Sequence, residues 1–136
     1  MFVRTVPLFS ILLIVYNAVI LLFRWQSPAV DPMSTVLLTF TLPSEAIWTL
    51  MLGDFFIISG LGVLYIELIK STRASNQSII EHTFSMFVFL IYLLEFLLFP
   101  LCGDSTFLIL CCMSMLDVIA GFTISISAAR RDLTVG

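Results

Sequence analysis

The sequence predicts an all-α integral membrane protein, a bundle of four transmembrane helices. The chain of 136 residues is 60% hydrophobic and only 11% charged, whereas soluble domains are about 45–50% apolar and about 25% charged. Its apolar residues form four runs of roughly twenty residues, the length that crosses a bilayer as a helix. We therefore expect a single polytopic membrane domain that covers residues 1–136.

The first two runs are separated by a long connection. The first covers residues 5–23 and is followed by Arg24, and the second covers 46–69 and is followed by Lys70. Because Arg4 gives the chain a positive start, the first run has a second interpretation as a cleaved signal peptide. It is longer than the 7–15 apolar residues of a signal core, and we expect it to remain as a membrane anchor.

The last two runs are joined by a tight turn. The third covers residues 79–99 and stops before Pro100, which cannot continue a helix because its ring clashes with the preceding turn and it lacks an N–H. Gly103 and Asp104 are typical turn formers, and the fourth run covers 106–129. A short polar loop precedes the third run, so the predicted bundle has one short and one long loop between its neighbouring helices.

The distribution of basic residues predicts the orientation. Four spans place the N-terminus, the second loop and the C-terminus on one side, which carries five of the six basic residues, namely Arg4, Lys70, Arg73, Arg130 and Arg131. Cytoplasmic segments are enriched in Lys and Arg, and Trp is enriched at membrane boundaries, where Trp25 and Trp48 fall. We therefore expect both termini to be cytoplasmic, in a membrane such as the bacterial inner membrane.

The long connection, residues 26–45, contains a pattern of period two. Leu38, Phe40 and Leu42 alternate with threonines, which is typical of an extended strand with one apolar face. We expect a segment that lies on the bilayer surface or over the mouth of the bundle, since no partner strand is evident. The alternative is a short hairpin or plug that docks onto a partner.

Each predicted helix has one narrow stripe of polar or small residues at helical spacing. The stripes are Ser10, Asn17 and Arg24; Thr49, Gly53, Gly60 and Glu67; Glu81, Ser85, Val88, Tyr92 and Glu95; and Ser114, Asp117, Gly121, Ser125 and Ala128. Small residues allow helices to approach closely in membranes, and polar groups hydrogen-bond across them. We expect the stripes to be the packing faces of the helices. Asp54 is an exception, because it lies about 100° away from the stripe of its own helix.

Three carboxylates interrupt the apolar runs and define the candidate site. An Asp at mid-helix costs about 2.5–3.5 kcal/mol on insertion scales, so such groups face each other, water or a partner. At about 1.5 Å per residue, Asp54 falls about 12 Å below the outer end of its span. Glu95 falls about 8 Å from its own outer end, and Asp117 falls near mid-membrane. The predicted polar core consists of Asp54, Glu95, Asp117, Asn17, Tyr92 and Ser114.

This polar core has two interpretations. In the first, its members hydrogen-bond across helices and fix their register. In the second, they form a path for protons or cations, because ionisable residues inside the membrane mark functional sites. The first interpretation is favoured, since polar stripes are needed for packing alone. Glu67 and Glu81 lie nearer the boundary, within reach of Lys70 and Arg73, and are interpreted as interfacial ion partners.

Enzyme chemistry finds little support in the sequence. His82 is the single histidine, which excludes most zinc sites and a bis-histidine haem within one chain, and we expect it to be interfacial. Cys102, Cys111 and Cys112 form no CxxC pair, although Cys102, as an odd thiol in a turn, has the alternative of pairing with another chain. We expect no catalytic residue, no metal and no cofactor.

The expected function is that of an accessory or assembly subunit of a larger membrane complex. The alternative is a small proton- or cation-conducting transporter or channel that acts as an oligomer, and a membrane redox or lipid-modifying enzyme is a third, weaker possibility. The expected partners are the lipid bilayer and other membrane protein subunits or further copies of the chain. With six basic residues in total, nucleic acid is not an expected partner.

Overall fold

Four long helices dominate the computed structural model, which describes residues 6–27, 29–72 and 76–134, without the side chains of 76–79, 128, 129 and 131–134. The helices are α1 (Leu8–Gln26), α2 (Leu52–Ser71), α3 (Asn76–Leu98) and α4 (Ser105–Thr134). Each contains a segment long and apolar enough to cross a membrane, and these segments are Leu8–Gln26, Leu52–Ser71, Ile80–Leu98 and Ser105–Ser127. The chain is therefore a multi-pass membrane protein built on an α-helical bundle.

The predicted start of the second span was wrong. Residues 46–51 are not helical, and α2 begins only at Leu52. The preceding Ile47–Met51 is a β-strand, β2, whose apolar composition merges with that of the helix in a hydropathy profile. The other three helices lie within a few residues of their predicted runs, although the predicted start at residue 5 lies outside the described residues.

The connection between α1 and α2 forms a β-hairpin rather than a single extended segment. Strand β1 (Val36–Thr41) pairs with β2 in antiparallel orientation, with Phe40 opposite Trp48 and Leu38 opposite Leu50. The sequence analysis found no partner strand because it assigned β2 to the second span. The alternative of a short hairpin is therefore the one that the structure supports, and the described part of the chain contains this two-stranded sheet alone.

Helix α4 lies at the centre of the packing. It packs most extensively against α3 and α2, and α1 packs against α2 and α3, so that the order around the bundle is α1, α2, α4, α3. A β-carbon at Gly60 of α2 would lie 2.6 Å from Leu110 Cδ2 and 2.8 Å from Met113 Sδ of α4. Glycine at this position thus permits the close α2–α4 approach that small residues give in membranes.

A chain of aromatic rings fills the core between the helices. Tyr16 of α1 contacts Phe56 of α2 and Phe107 of α4, with ring centroids 5.0 and 4.9 Å apart. Phe107 also contacts Tyr92 of α3 at 5.3 Å. Aromatic pairs at such distances contribute about 0.5–1.5 kcal/mol each beyond the burial of their surface. All four helices are therefore joined through one set of rings.

The predicted stripes coincide with the buried faces of three helices. The buried members are Gly53, Gly60 and Glu67 of α2; Ser85, Val88 and Tyr92 of α3; and Ser114, Asp117 and Gly121 of α4. Helix α1 differs, because its buried face is apolar and includes Phe9, Leu13 and Tyr16. On that helix Asn17 is half-buried and Arg24 is exposed.

The helices run alternately in opposite directions, which gives the bundle two ends. We call the hairpin end the one that holds the β-hairpin, the last turns of α1 and α3 and the first turns of α2 and α4. We call the other the opposite end. Arg4 and Arg73, on which the predicted orientation partly rests, lie outside the described residues.

Candidate functional site

The residues of the predicted polar core do not meet in one place. Asn17 and Glu95 form a contact towards the hairpin end. Asp117 lies in a separate cluster, with Ser85 and Glu67, at the opposite end. Two polar clusters at different depths therefore replace the single one that the sequence predicted.

At the hairpin end, an amide and a carboxylate link α1 to α3. Asn17 Nδ2 donates a hydrogen bond to Glu95 Oε2 at 2.8 Å and to the Leu13 carbonyl at 3.2 Å. The Cys102 thiol donates to Asn17 Oδ1 at 3.7 Å. These three bonds fix the orientation of the amide, so that its N–H groups, rather than its oxygen, face the carboxylate.

Tyr92 lies one turn before Glu95 and has a different partner. Its hydroxyl donates to the Phe9 carbonyl at 3.1 Å, and its ring packs edge-on against Phe9 at 6.4 Å. The side chain is completely buried. Tyr92 therefore ties α3 to the first turn of α1 and has a structural role in the bundle.

Asp54 lies in the first turn of α2, and not two turns inside a helix as the sequence predicted. It is the third residue of α2, is half-buried, and accepts a hydrogen bond from the Met51 backbone N–H at 3.0 Å. The expectation that it lies about 12 Å below the outer end of its helical span was wrong, because β2 takes up the beginning of the predicted span and α2 starts only at Leu52. A carboxylate in the first turn stabilises a helix through its free N–H groups and its dipole, and this local role explains why Asp54 lies off the packing stripe.

At the opposite end, Asp117 is almost completely buried, with 2% of its surface exposed. Ser85 of α3 hydrogen-bonds its carboxyl group. Among the described residues, Asp117 Oδ2 has no hydrogen-bond partner, and neither has Ser114 Oγ one turn earlier on α4. Unpaired polar atoms in a membrane interior cost several kcal/mol, so these two atoms are candidates for a role beyond packing.

Glu67 of α2 completes the cluster at the opposite end. Its Oε1 accepts a hydrogen bond from the Leu8 N–H at 2.6 Å, at the start of α1. Its Oε2 forms an ion pair with Lys70 Nζ at 3.0 Å. The predicted pairing with Lys70 is present, but Glu67 is buried rather than interfacial, because it caps the neighbouring helix.

His82 is buried as well, contrary to the expectation of an interfacial position. Its ring lies against Gly121 of α4, where a β-carbon would be 2.3 Å from His82 Nδ1, and it contacts the Phe122 ring at 5.8 Å. The small residue at position 121 leaves the space that the ring occupies. At Gly121, the small-residue stripe of α4 therefore packs against the bulky ring of His82.

Asp104 is a site residue whose partners sequence reasoning missed. Its Oδ1 accepts the Phe107 N–H at 2.9 Å, and its Oδ2 accepts the Tyr16 hydroxyl. The first of these bonds is an N-cap, and an Asp immediately before a helix start is a recognised signal for one. The bond to Tyr16 had no local signal, because the two residues are 88 positions apart.

Two cavities open at the hairpin end. The larger, about 320 Å³, is lined by charged residues that include Arg24, Asp31 and Asp104. The smaller, about 170 Å³, lies beside Asn17, Glu95 and Cys102. Burial raises the pKa of the Cys102 thiol to about 11, with a further contribution from the charge of Glu95. The thiol is therefore neutral at physiological pH and is a hydrogen-bond donor rather than a reactive thiolate.

Within the described residues, no group of three or more His, Cys, Asp or Glu side chains is placed to hold a metal ion. The chain matches no protein-family model, no curated protein and no solved structure. Fold and side-chain geometry are therefore the basis for any functional conclusion.

Proposed function

We propose that this protein is a non-catalytic accessory or assembly subunit of a larger membrane complex, with both termini cytoplasmic, and that its partner binds the hairpin end. The observation that carries the proposal is the apolar face of the β-hairpin, much of which stays exposed in the described part of the chain.

The apolar face is formed by directly opposed residues of the two strands. Leu38 pairs with Leu50 and Phe40 pairs with Trp48, and residues opposed in this way lie on the same face of a sheet. The rings of Phe40 and Trp48 are stacked, 5.7 Å apart and within 4° of parallel. Phe40 and Trp48 nevertheless keep 49% and 41% of their surfaces exposed.

A hairpin of this kind is poorly suited to either water or lipid. An isolated two-stranded hairpin is marginally stable in water, and exposed apolar patches mark interaction sites. In hydrocarbon, the unpaired N–H and C=O groups along its outer edges would remain unsatisfied. A protein surface can cover the apolar face and supply hydrogen-bond partners to an edge, which favours a protein partner.

The hairpin also lacks the usual protection against edge pairing. Natural edge strands carry charged residues or Pro that block association. Between Pro32 and Ser44 the chain has no charged residue, and β1 contains no Pro. The sequence of this segment is therefore compatible with strand-edge or face-to-face association.

The polar residues inside the bundle support a structural rather than a catalytic interpretation. Glu67 of α2 accepts a hydrogen bond from the first turn of α1, and Tyr92 of α3 donates one to the same turn. Asp104, at the start of α4, accepts a hydrogen bond from the hydroxyl of Tyr16 in α1. Such contacts fix the relative positions of helices, as expected for a scaffold.

Co-purification in mild detergent with a matched pair of variants tests this proposal. Trp48→Ala removes an aromatic ring from the apolar face, and Ile47→Ala removes a comparable side chain from the other face of the same strand. We expect a stoichiometric membrane partner with the parent protein and with Ile47→Ala, and its loss with Trp48→Ala. A parent protein that purifies without a stoichiometric partner, or equal retention in both variants, would contradict the proposal.

A second candidate function is proton or cation conduction by an oligomer. Asp117 favours it, because this buried carboxyl group has an oxygen without a partner among the described residues. Flux through reconstituted liposomes tests the idea with Asp54→Asn, Glu95→Gln and Asp117→Asn variants. Loss of flux in Asp117→Asn alone would support it, and absence of flux in the parent protein would eliminate it.

A further inference from the structure

The cavity beside Glu95 has the features of a ligand site. It has a volume of about 170 Å³ and lies between the second half of α1, the end of α3 and the turn Pro100–Cys102. Glu95 lies three residues before the end of α3, which places it near the membrane boundary at the hairpin end. We call it the Glu95 cavity.

Glu95 is the one charged residue among those that line the cavity. Its hydrogen bond comes from the neutral amide of Asn17, which stabilises a carboxylate without neutralising it. The neighbouring Cys102 is a neutral donor, since burial raises its pKa to about 11. Ionisable residues in membrane spans pair with other protein groups or act as counter-ions to ligands, and among the described residues no basic side chain lines this cavity.

The rest of the lining is apolar and open towards the outside of the bundle. Leu21, Phe99 and Leu101 contribute to it, and 62%, 57% and 39% of their surfaces are exposed. Phe99 adds an aromatic ring, and aromatic faces attract ammonium groups. A ligand in this cavity would therefore place a charge against Glu95 and an apolar body among these side chains.

We propose that the Glu95 cavity binds the ammonium group of an amphiphilic organic cation that enters from the membrane side. A bare metal ion fits poorly, because hard cations take about six or more oxygen ligands. The polar atoms here are the Glu95 carboxylate and an Asn17 oxygen already engaged by Cys102. The proposal does not depend on the accessory-subunit function.

The ammonium group that the Glu95 cavity binds has two possible sources, an amine-bearing lipid headgroup or a free amphiphilic amine. Both present an ammonium group attached to an apolar chain. The neighbouring larger cavity shares Ile20 and Leu101 with the Glu95 cavity and contains Arg24. The experiment distinguishes the two sources by competition.

Decyltrimethylammonium is the probe, titrated calorimetrically into the full chain in dodecyl maltoside. Glu95→Gln keeps the size of the side chain and its ability to accept from Asn17 but removes the charge, and we expect at least about tenfold weaker binding. Glu81→Gln is the matched control, because Glu81 is a half-buried glutamate of the same helix at the opposite end. We expect it to bind as the parent does.

Decanol is the uncharged comparison on the parent protein, which makes the test independent of how the variant folds. Equal binding of decanol and the cation, or equal binding of the cation by parent and Glu95→Gln, would overturn the proposal. Short-chain phosphatidylethanolamine is then added as a competitor, with phosphatidylglycerol as its control. Displacement by the former alone assigns a lipid headgroup, and lack of displacement assigns a free amphiphilic amine.

Discussion

The imidazole ring of His82 occupies the space above Gly121, so closely that a β-carbon on that glycine would lie 2.3 Å from Nδ1 and 3.0 Å from Cγ. The contact joins the first half of α3 to the second half of α4. Because Cγ is the root of the ring, a small rotation of the side chain cannot relieve the clash. His82 and Gly121 thus define the helix spacing at the opposite end.

Gly121→Ala should lower the thermal unfolding midpoint in detergent. Overpacking a filled interior costs about 1–3 kcal/mol, which exceeds the gain of up to about 1 kcal/mol from the better helix propensity of alanine. Gly62→Ala is the control, because a β-carbon at Gly62 has no neighbour within 4 Å, and it should leave stability unchanged or raise it. In a His82→Ala background, Gly121→Ala should lose most of its effect, whereas an undiminished effect would contradict the assigned contact.

Gly60→Ala should be less damaging than Gly121→Ala. The atoms that a β-carbon would meet are Leu110 Cδ2 and Met113 Sδ, both at the outer part of flexible side chains. Methionine in particular adapts to changes in shape. Unfolding midpoints of the two variants measured side by side check this order, and the reverse order would show that α2 and α4 cannot adjust.

Tyr16 and Asp104 should be energetically coupled. Asp104 caps α4 and accepts the Tyr16 hydroxyl from α1, and hydrogen bonds to charged groups contribute about 1.5–3 kcal/mol. A double-mutant cycle of Tyr16→Phe and Asp104→Ala should give a coupling energy of about 0.5–3 kcal/mol. Asp54→Ala is the control, since Asp54 also accepts a backbone N–H, that of Met51, within its own turn, and its effect should add to that of Tyr16→Phe. Additivity of Tyr16→Phe with Asp104→Ala would disprove the link.

Alkylation of Cys102 should depend on pH in a particular way. Burial raises the pKa of its thiol from 9.0 to about 11, and the thiolate is the reactive form. Iodoacetamide should therefore modify Cys102 in the folded protein only slowly near pH 8, and faster as the pH approaches 11. Peptide mass spectrometry measures the rate, with urea-unfolded protein as the reference, and equal rates in both states at pH 8 would show that Cys102 is not protected.

The raised pKa of Cys102 also predicts how the stability of the folded protein changes with pH. The folded pKa lies above the unfolded one, so the protonated thiol is favoured by folding and its contribution is fully present below about pH 9. That contribution is lost as the pH rises through about 9 to 11, because the unfolded chain ionises first. A Cys102→Ser variant should lack this alkaline loss of stability.

The helices could be predicted from sequence because lipid exposure requires long apolar runs, and the stripes of α2, α3 and α4 followed from helical periodicity. The hairpin could not, since Ile47–Met51 is as apolar as the helix that follows it. Its strand character depends on pairing with Val36–Thr41. Misplacing this one boundary also placed Asp54 too far along its helix.

The candidate site was predictable in part. The contact of Asn17 with Glu95 joins two predicted residues, because both lie in the half of the bundle near the hairpin. The separation of Asp117 from them depends on side-chain contacts with Ser85 and Glu67. These contacts come from helices adjacent in the fold and not from any local pattern.

The most direct test of the accessory-subunit proposal is photo-cross-linking in native membranes from position 48. Trp48→p-benzoylphenylalanine places a reactive group on the apolar face of the hairpin, and the same replacement of Ile14, which is 67% exposed on α1, serves as a control on the helix surface. We predict one discrete adduct with a second membrane protein from position 48 and none from position 14. Lipid adducts alone from both positions would contradict the proposal.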